Sequence, residues 1–327
     1  MISDASTCGF YTVLLAGSLI NYSHYPKGTC QKCCLIDWED DIKYLLYTRN
    51  QYTYDYLKVG DSRGLHRSDF NFKNPTVIYI HSNLEDATSK SDSAQAINKA
   101  FLKKGRYNII LVDWSRLSTA PWYDNSISNI KDVGEHVAKF IRFLLNQDYR
   151  LRKIHVIGFG MGAEVAGYIG QKLKRWDYLL TRVTGLDPPY FIFNPESSYR
   201  HLNYKVARFV DVIHTDGGSS GNSEAIGHAD FYPNDGIALQ PGCITRKVFD
   251  DRFLDSFFDC SHNRAWKYFA ESVNSRYSFR SKICKPSKTF RYCKFGSNGK
   301  AYMGFYADED LRGKFYLETN SYPPYGY

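Results

Sequence analysis

The chain of 327 residues predicts an α/β protein with a mostly parallel central sheet and helices on both faces. Three observations carry this. Short apolar runs rich in β-branched and aromatic residues alternate with helix-length segments, the pattern of strand–helix–strand units. The runs are nearly continuous in apolar residues, as parallel strands buried on both faces are. A glycine-rich turn, Gly158-Phe159-Gly160-Met161-Gly162, joins one run to a helical stretch. In such a sheet the residues that carry chemistry lie in loops at the carboxyl ends of the strands.

Taken in order, residues 1–41 read as irregular and cysteine-rich. Residues 10–20 form an eleven-residue stretch followed by Asn21-Tyr22-Ser23, a glycosylation sequon. Residues 1–23 are a candidate signal peptide, although no Lys or Arg precedes the apolar part. Residues 24–43 form a Cys-rich segment, and residues 44–61 look like an antiparallel edge. Buried strands are predicted at 76–80, 108–113, 154–157, 182–186 and 209–213, and helices at 94–102, 127–145 and 163–173. In the second helix Ile130, Val133, Val137, Phe140, Ile141 and Leu144 recur at helical spacing. After Asp230 the alternation fades into loops, one amphipathic stretch and an aromatic-rich end. No linker or repeat intervenes, so residues 44–327 read as a single domain.

Composition narrows the function classes. With 43% hydrophobic and 23% charged residues the chain is globular, and no apolar run approaches the ~20 residues that span a bilayer. Cysteines stand at 8, 30, 33, 34, 243, 260, 284 and 293. Cys30-x-x-Cys33 has no second CxxC or His pair at zinc-ligand spacing, so no metal is expected, and disulfides in an oxidising compartment are. The net charge of +8 traces to residues 272–300, which lack any acid and carry Arg276, Arg280, Lys282, Lys285, Lys288, Arg291, Lys294 and Lys300. This segment would attract an anionic glycan or a membrane surface, or serve as a solvated face. No nucleic-acid reader motif accompanies it.

The glycine turn admits two readings. Gly158-x-Gly160-x-x-Ala163 fits a dinucleotide-binding turn, but the acid expected about 20 residues later would be Asp177, in a polar stretch. No cofactor is therefore expected. The other reading places the turn where hydrolases carry G-x-S-x-G, with Gly160 at the serine position. Asp187 then follows a strand and His262 lies in a later loop, which gives the chain order nucleophile, acid, histidine. In such a triad the acid orients the imidazole, and the imidazole takes the serine proton.

Between Cys243 and Cys260, residues Phe249, Phe253, Leu254, Phe257 and Phe258 fall at i, i+4, i+5, i+8 and i+9, with Asp250, Asp251, Arg252, Asp255 and Asp259 opposite. This is an amphipathic helix on a cysteine-bounded loop. It would cover an apolar cleft, lie on a lipid surface, or pack as a surface helix.

At this point the chain resembles the pancreatic-type lipase family. The matching stretches are 154–170 (IHVIGFGMGAEVAGYIG), 182–188 (RVTGLDP), 209–217 (FVDVIHTDG) and 227–236 (GHADFYPNDG), with Val112-Asp113-Trp114-Ser115, Pro241-Gly242-Cys243 and Cys260-Ser261-His262. Residues 303–308 and 313–317 look most like venom phospholipases and their insect relatives. The resemblance spans roughly residues 45–327. It implies an α/β-hydrolase fold without an appended β-sandwich, secretion, a disulfide-bounded lid, and the pairs Cys243–Cys260 and Cys284–Cys293. It also implies Asp187 as triad acid, His262 as triad base, and a missing serine at Gly160. Phe159 and Met161 depart from the usual flanks, His and Leu. His81-Ser82-Asn83 stands where the family reads His-Gly-aromatic, so the oxyanion donors implied are at Asn83 and the Met161 N–H.

The resulting expectation is a secreted, inactive pseudolipase that binds lipid or another apolar ligand, or serves for storage as the insect yolk proteins do. The competing expectation is a weak lipase or phospholipase in which Asp187 and His262 activate water. A third is glycan or membrane-surface binding through residues 272–300.

Overall fold

Parallel strands buried on both faces need apolar side chains above and below, and the predicted runs supply them. The computed structural model describes residues 8–15, 18–49, 53–88, 92–190, 202–243, 253–285, 292–295 and 301–327. Its amino-terminal part holds β1 (Phe10–Leu15), β2 (Ser18–Ser23), α1 (Trp38–Asp41), β3 (Lys43–Tyr47), β4 (Asp55–Leu57) and α2 (Ser62–Arg67). The alternating core follows: β5 (Thr76–Ile80), α3 (Asp92–Lys104), β6 (Asn108–Asp113), α4 (Tyr123–Asn146), β7 (Ile154–Phe159), α5 (Met161–Lys174), β8 (Leu180–Leu186) and β9 (Ala207–Ile213). Then come β10 (Ala229–Pro233), α6 (Phe253–Asn274), β11 (Lys282–Lys285), β12 (Tyr292–Phe295) and β13 (Gly313–Leu317).

Eleven of these strands form one sheet in the order β12-β11-β13-β10-β9-β8-β7-β5-β6-β3-β4. The run from β13 to β6 is parallel throughout, and antiparallel pairing occurs only toward the two edges. Alternate strand residues feed two cores. Ile78, Ile110, Val156 and Val183 pack with Val133, Val137 and Ile141 of α4 and Val165 and Ile169 of α5. On the other face Val77, Ile109, Ile157 and Phe209 meet Ile97 and Phe101 of α3 and Trp266 and Phe269 of α6. Each fully buried aliphatic or aromatic side chain contributes about 1.5–3 kcal/mol, so these layers fix where the strand ends lie.

One polar link ties the chain's end to this sheet. Arg182 of β8 holds both oxygens of Asp211 at 2.9 Å and donates to the carbonyls of Gly304 and Phe305. A buried bidentate pair of this kind is costly to break one partner at a time.

The structure departs from the sequence reading in two regions. Residues 10–15 and 18–23, read as irregular, form the two strands of the β1–β2 hairpin, and Cys8 before it is joined to Cys34. Asn21 of the sequon is buried and donates to the carbonyl of Glu85, so in this fold its amide is not open to a glycan. The region after Asp230, read as mostly loops, adds β10 to β13 to the sheet. Cys30–Cys33 and Cys243–Cys260 are disulfides, and Cys284 and Cys293 are register partners across β11 and β12. Of the basic segment, Lys288, Arg291 and Lys300 lie outside the described residues, and Arg276 stacks over the Tyr277 and Tyr306 rings. Among the described residues no helix is long and apolar enough to cross a membrane, and no group of His, Cys, Asp or Glu is arranged to hold a metal.

Candidate functional site

The turn after β7 is set by close approach of backbone to backbone. A Cβ on Gly162 would stand 2.3 Å from the carbonyl oxygen of Ile80, so the start of α5 packs against the end of β5 only because that residue is glycine. Gly160 itself has φ +51° and ψ −121°, a conformation that costs a side-chain-bearing residue about 1–3 kcal/mol. The strand, the sharp turn and the helix thus have the form expected of a nucleophile elbow, with glycine at the middle position of the turn.

Asp187 leaves the end of β8 with φ +43°, another strained residue. Its carboxylate is fully buried, and its Oδ2 lies 2.6 Å from His262 Nδ1. Its Oδ1 accepts from the backbone N–H groups of Thr215 at 2.7 Å and Asp216 at 3.0 Å. Gly221 leaves room for it, since a Cβ there would come within 2.4 Å of Oδ2. With Nδ1 so bonded, Nε2 is the ring nitrogen turned toward the turn, and it lies 3.0 Å from the place a Cβ of residue 160 would occupy. The structure therefore brings Gly160, Asp187 and His262 together as the chain order predicts. Phe159 packs on the imidazole with ring centroids 4.5 Å apart.

His262 is not in a loop, as the sequence suggested, but on α6, which runs unbroken from Phe253 to Asn274. The helix continues through Cys260 and His262 because Ala265, Trp266, Phe269 and Val273 give it an apolar stripe that buries against the sheet. Phe253, Leu254, Phe257 and Phe258 of the expected lid occupy its first two turns, and the Cys243–Cys260 disulfide bounds the segment. Phe249 lies outside the described residues.

The side where the oxyanion donors are expected is not arranged as a hole open to substrate. Ser82, which follows β5, is held at every polar group. Its N–H donates to Glu85 Oε2 at 3.0 Å, and its carbonyl takes a bond of 2.6 Å from His81 Nδ1. His81 is fixed in turn by the Trp114 N–H at its Nε2 and the Trp114 indole N–H at its carbonyl. The Ser82 hydroxyl donates to Asn83 Oδ1 at 3.1 Å and accepts the Met161 N–H at 3.3 Å. Asn83 and Met161 thus meet at this site, with Ser82 Oγ between them.

Two residues of the site went unassigned in the sequence. Asp216, inside the stretch 209–217, has a carboxyl pushed up to about 6, chiefly by burial and then by the neighbouring Asp187 charge. Ser82 was visible only as a departure from a glycine. A cavity of about 430 Å³ lined by Gln171, Lys174, Arg175, Asn203 and Lys205 opens at the far end of α5 from Gly160, so it is separate from this site.

Chemically, the arrangement offers an imidazole oriented by a buried carboxylate and no side-chain oxygen on the turn itself. A model of the Lipase family matches residues 23–325. Lipase member H of Xenopus tropicalis is 32% identical over 277 residues, covering 82% of this chain and 57% of that protein. Pancreatic triacylglycerol lipase of Cavia porcellus is 34% identical, covering 85% and 63%. The human protein named inactive pancreatic lipase-related protein 1 is 32% identical, covering 87% and 65%. The chain spans about three fifths of the length of these relatives. The catalytic-type turn, the Asp–His pair and the extent of these matches agree, and the chain belongs to the lipase family.

Proposed function

We propose that this chain is a secreted, non-hydrolytic member of the lipase family that holds lipid or another apolar ligand, in a carrier or storage role. The observation that carries the reading is Gly160: the residue 3.0 Å from His262 Nε2, measured to an added Cβ, has no atom that can attack an ester. Loss of the nucleophile from such a triad costs on the order of 10⁴–10⁶ in rate, about 5–8 kcal/mol of barrier. The Asp187–His262 pair does not substitute for it, because the Ser82 hydroxyl rather than open space lies next to the turn. The pair persists for a structural reason: removing either partner strands buried polar groups, at about 1–3 kcal/mol for each group left unmet. Disulfides Cys8–Cys34, Cys30–Cys33 and Cys243–Cys260 support an oxidising, extracellular setting.

The test is native mass spectrometry and lipid extraction of the protein purified from a secreting host. An acyl or other apolar ligand co-purifying at near one per chain is expected. Recovery of an empty chain that also fails to take up a fluorescent fatty acid would overturn the binding role.

A further inference from the structure

The residue that replaces glycine in the oxyanion loop does more than alter a turn. A Cβ built on Gly160 would lie 2.2 Å from Ser82 Oγ and 2.9 Å from Ser82 Cβ, inside any permitted contact. The same Oγ accepts the N–H of Met161, the first residue of α5. That amide sits where a hydrolase directs a donor at developing negative charge. A single hydroxyl therefore occupies the volume of a nucleophile's Cβ and takes up a donor that would stabilise its product. Ser82 has little freedom to leave, because its N–H, its carbonyl and its hydroxyl are all engaged and the His81 before it is clamped by Trp114.

We infer that Ser82 is a plug: it fills the space left by the missing nucleophile and closes the oxyanion donor, so that residues 82 and 160 are matched to one another. This rests on the reading of Gly160 as a vacated nucleophile position. Two consequences follow from the geometry. A serine returned to position 160 collides with Ser82, and while Ser82 keeps its place the carbonyl oxygen of an ester attacked there finds the Met161 N–H already taken. The ligand, for its part, is held without help from the Met161 N–H, since Ser82 Oγ occupies that donor.

The test compares the natural chain with Gly160→Ser, Ser82→Gly and the double variant, using p-nitrophenyl butyrate turnover and labelling by a fluorophosphonate. Both single variants are expected to stay near background. The double variant should exceed Gly160→Ser by about 10²–10³-fold, the worth of one oxyanion donor, and take up the label at position 160. Gly160→Ser alone matching the double variant, or a folded double variant no better than Gly160→Ser, overturns the plug. If the double variant does not fold, Ser82→Gly alone decides by hydrogen exchange: the peptide bearing the Met161 amide should exchange at least about tenfold faster, and an unchanged rate overturns the proposal. Turnover by the natural chain would instead refute the non-hydrolytic reading, so the two failures are distinguishable.

Discussion

On one side of the site Asp187 and His262 keep a 2.6 Å bond, with backbone donors from Thr215 and Asp216 completing the carboxylate; on the other, the turn at Gly160 carries no side chain and Ser82 fills its place. The two sides differ in what their residues do when no reaction occurs. A buried carboxylate and its partners are interdependent, so losing one exposes the others to an unmet desolvation cost. A nucleophile on an elbow has no such dependants. Its Cβ is a source of strain, and replacing it with glycine at φ +51° relieves about 1–3 kcal/mol. On the proposed reading, groups with a packing role stay and a group with only a chemical role is free to go.

That contrast can be broken by substitution, taking the largest effect first. Asp187→Ala should cost about 3–5 kcal/mol in urea unfolding, because His262 Nδ1 and two backbone donors lose their acceptor together. A loss below about 1 kcal/mol would mean the pair has no structural role. Gly160→Ala should cost about 1–3 kcal/mol for its backbone conformation, with a further penalty from the Ser82 contact. In a Ser82→Gly background that further penalty should vanish, a coupling of at least about 0.5 kcal/mol in a double-mutant cycle; additive effects would separate the two positions. His262→Ala should cost about 1–2 kcal/mol, from the Asp187 bond and the Phe159 contact, while leaving ligand retention unchanged.

The smallest effect concerns Asp216. The folded protein keeps its proton up to about pH 6, whereas in the unfolded chain an aspartic acid loses it near 4. The carboxylate therefore costs stability progressively as pH rises between those values, and nothing below them. Asp216→Asn should raise stability at pH 7 by roughly 1 kcal/mol after allowance for screening, and by nothing at pH 3.5. Thermal melts at the two pH values check this, and an equal gain at both would contradict it.

Five strands and three helices were legible because each carries its own periodicity. Ile78, Ile110 and Val156 sit in runs that have no other plausible fate than a buried sheet. The hairpin over β1 and β2 was not, since an apolar stretch near an amino terminus reads equally as a leader, and what fixes it to the body is long-range: the Cys8–Cys34 link, the Asn21–Glu85 bond and the bonds of Asn21 and Ser23 to residues 119–122. Strand β13 was missed because its pairing with β10 is made across some eighty residues of intervening chain. At the site, Asp187 and His262 announced themselves by chain order. Ser82 did not, because the contact between Ser82 Oγ and residues 160 and 161 is a property of the β5 and β7 strand ends lying side by side. His262 was assigned to a loop because the cysteine before it reads as a boundary, whereas α6 passes straight through.

The most direct measurement is hydrolysis of short- and long-chain esters by the purified natural chain beside its His262→Ala variant, with fluorophosphonate adducts mapped by peptide mass spectrometry. Equal background rates and no adduct are the expected result. A rate above background that His262→Ala abolishes, or an adduct on Ser82, would show that the strand-end site still performs chemistry and would contradict the non-hydrolytic reading.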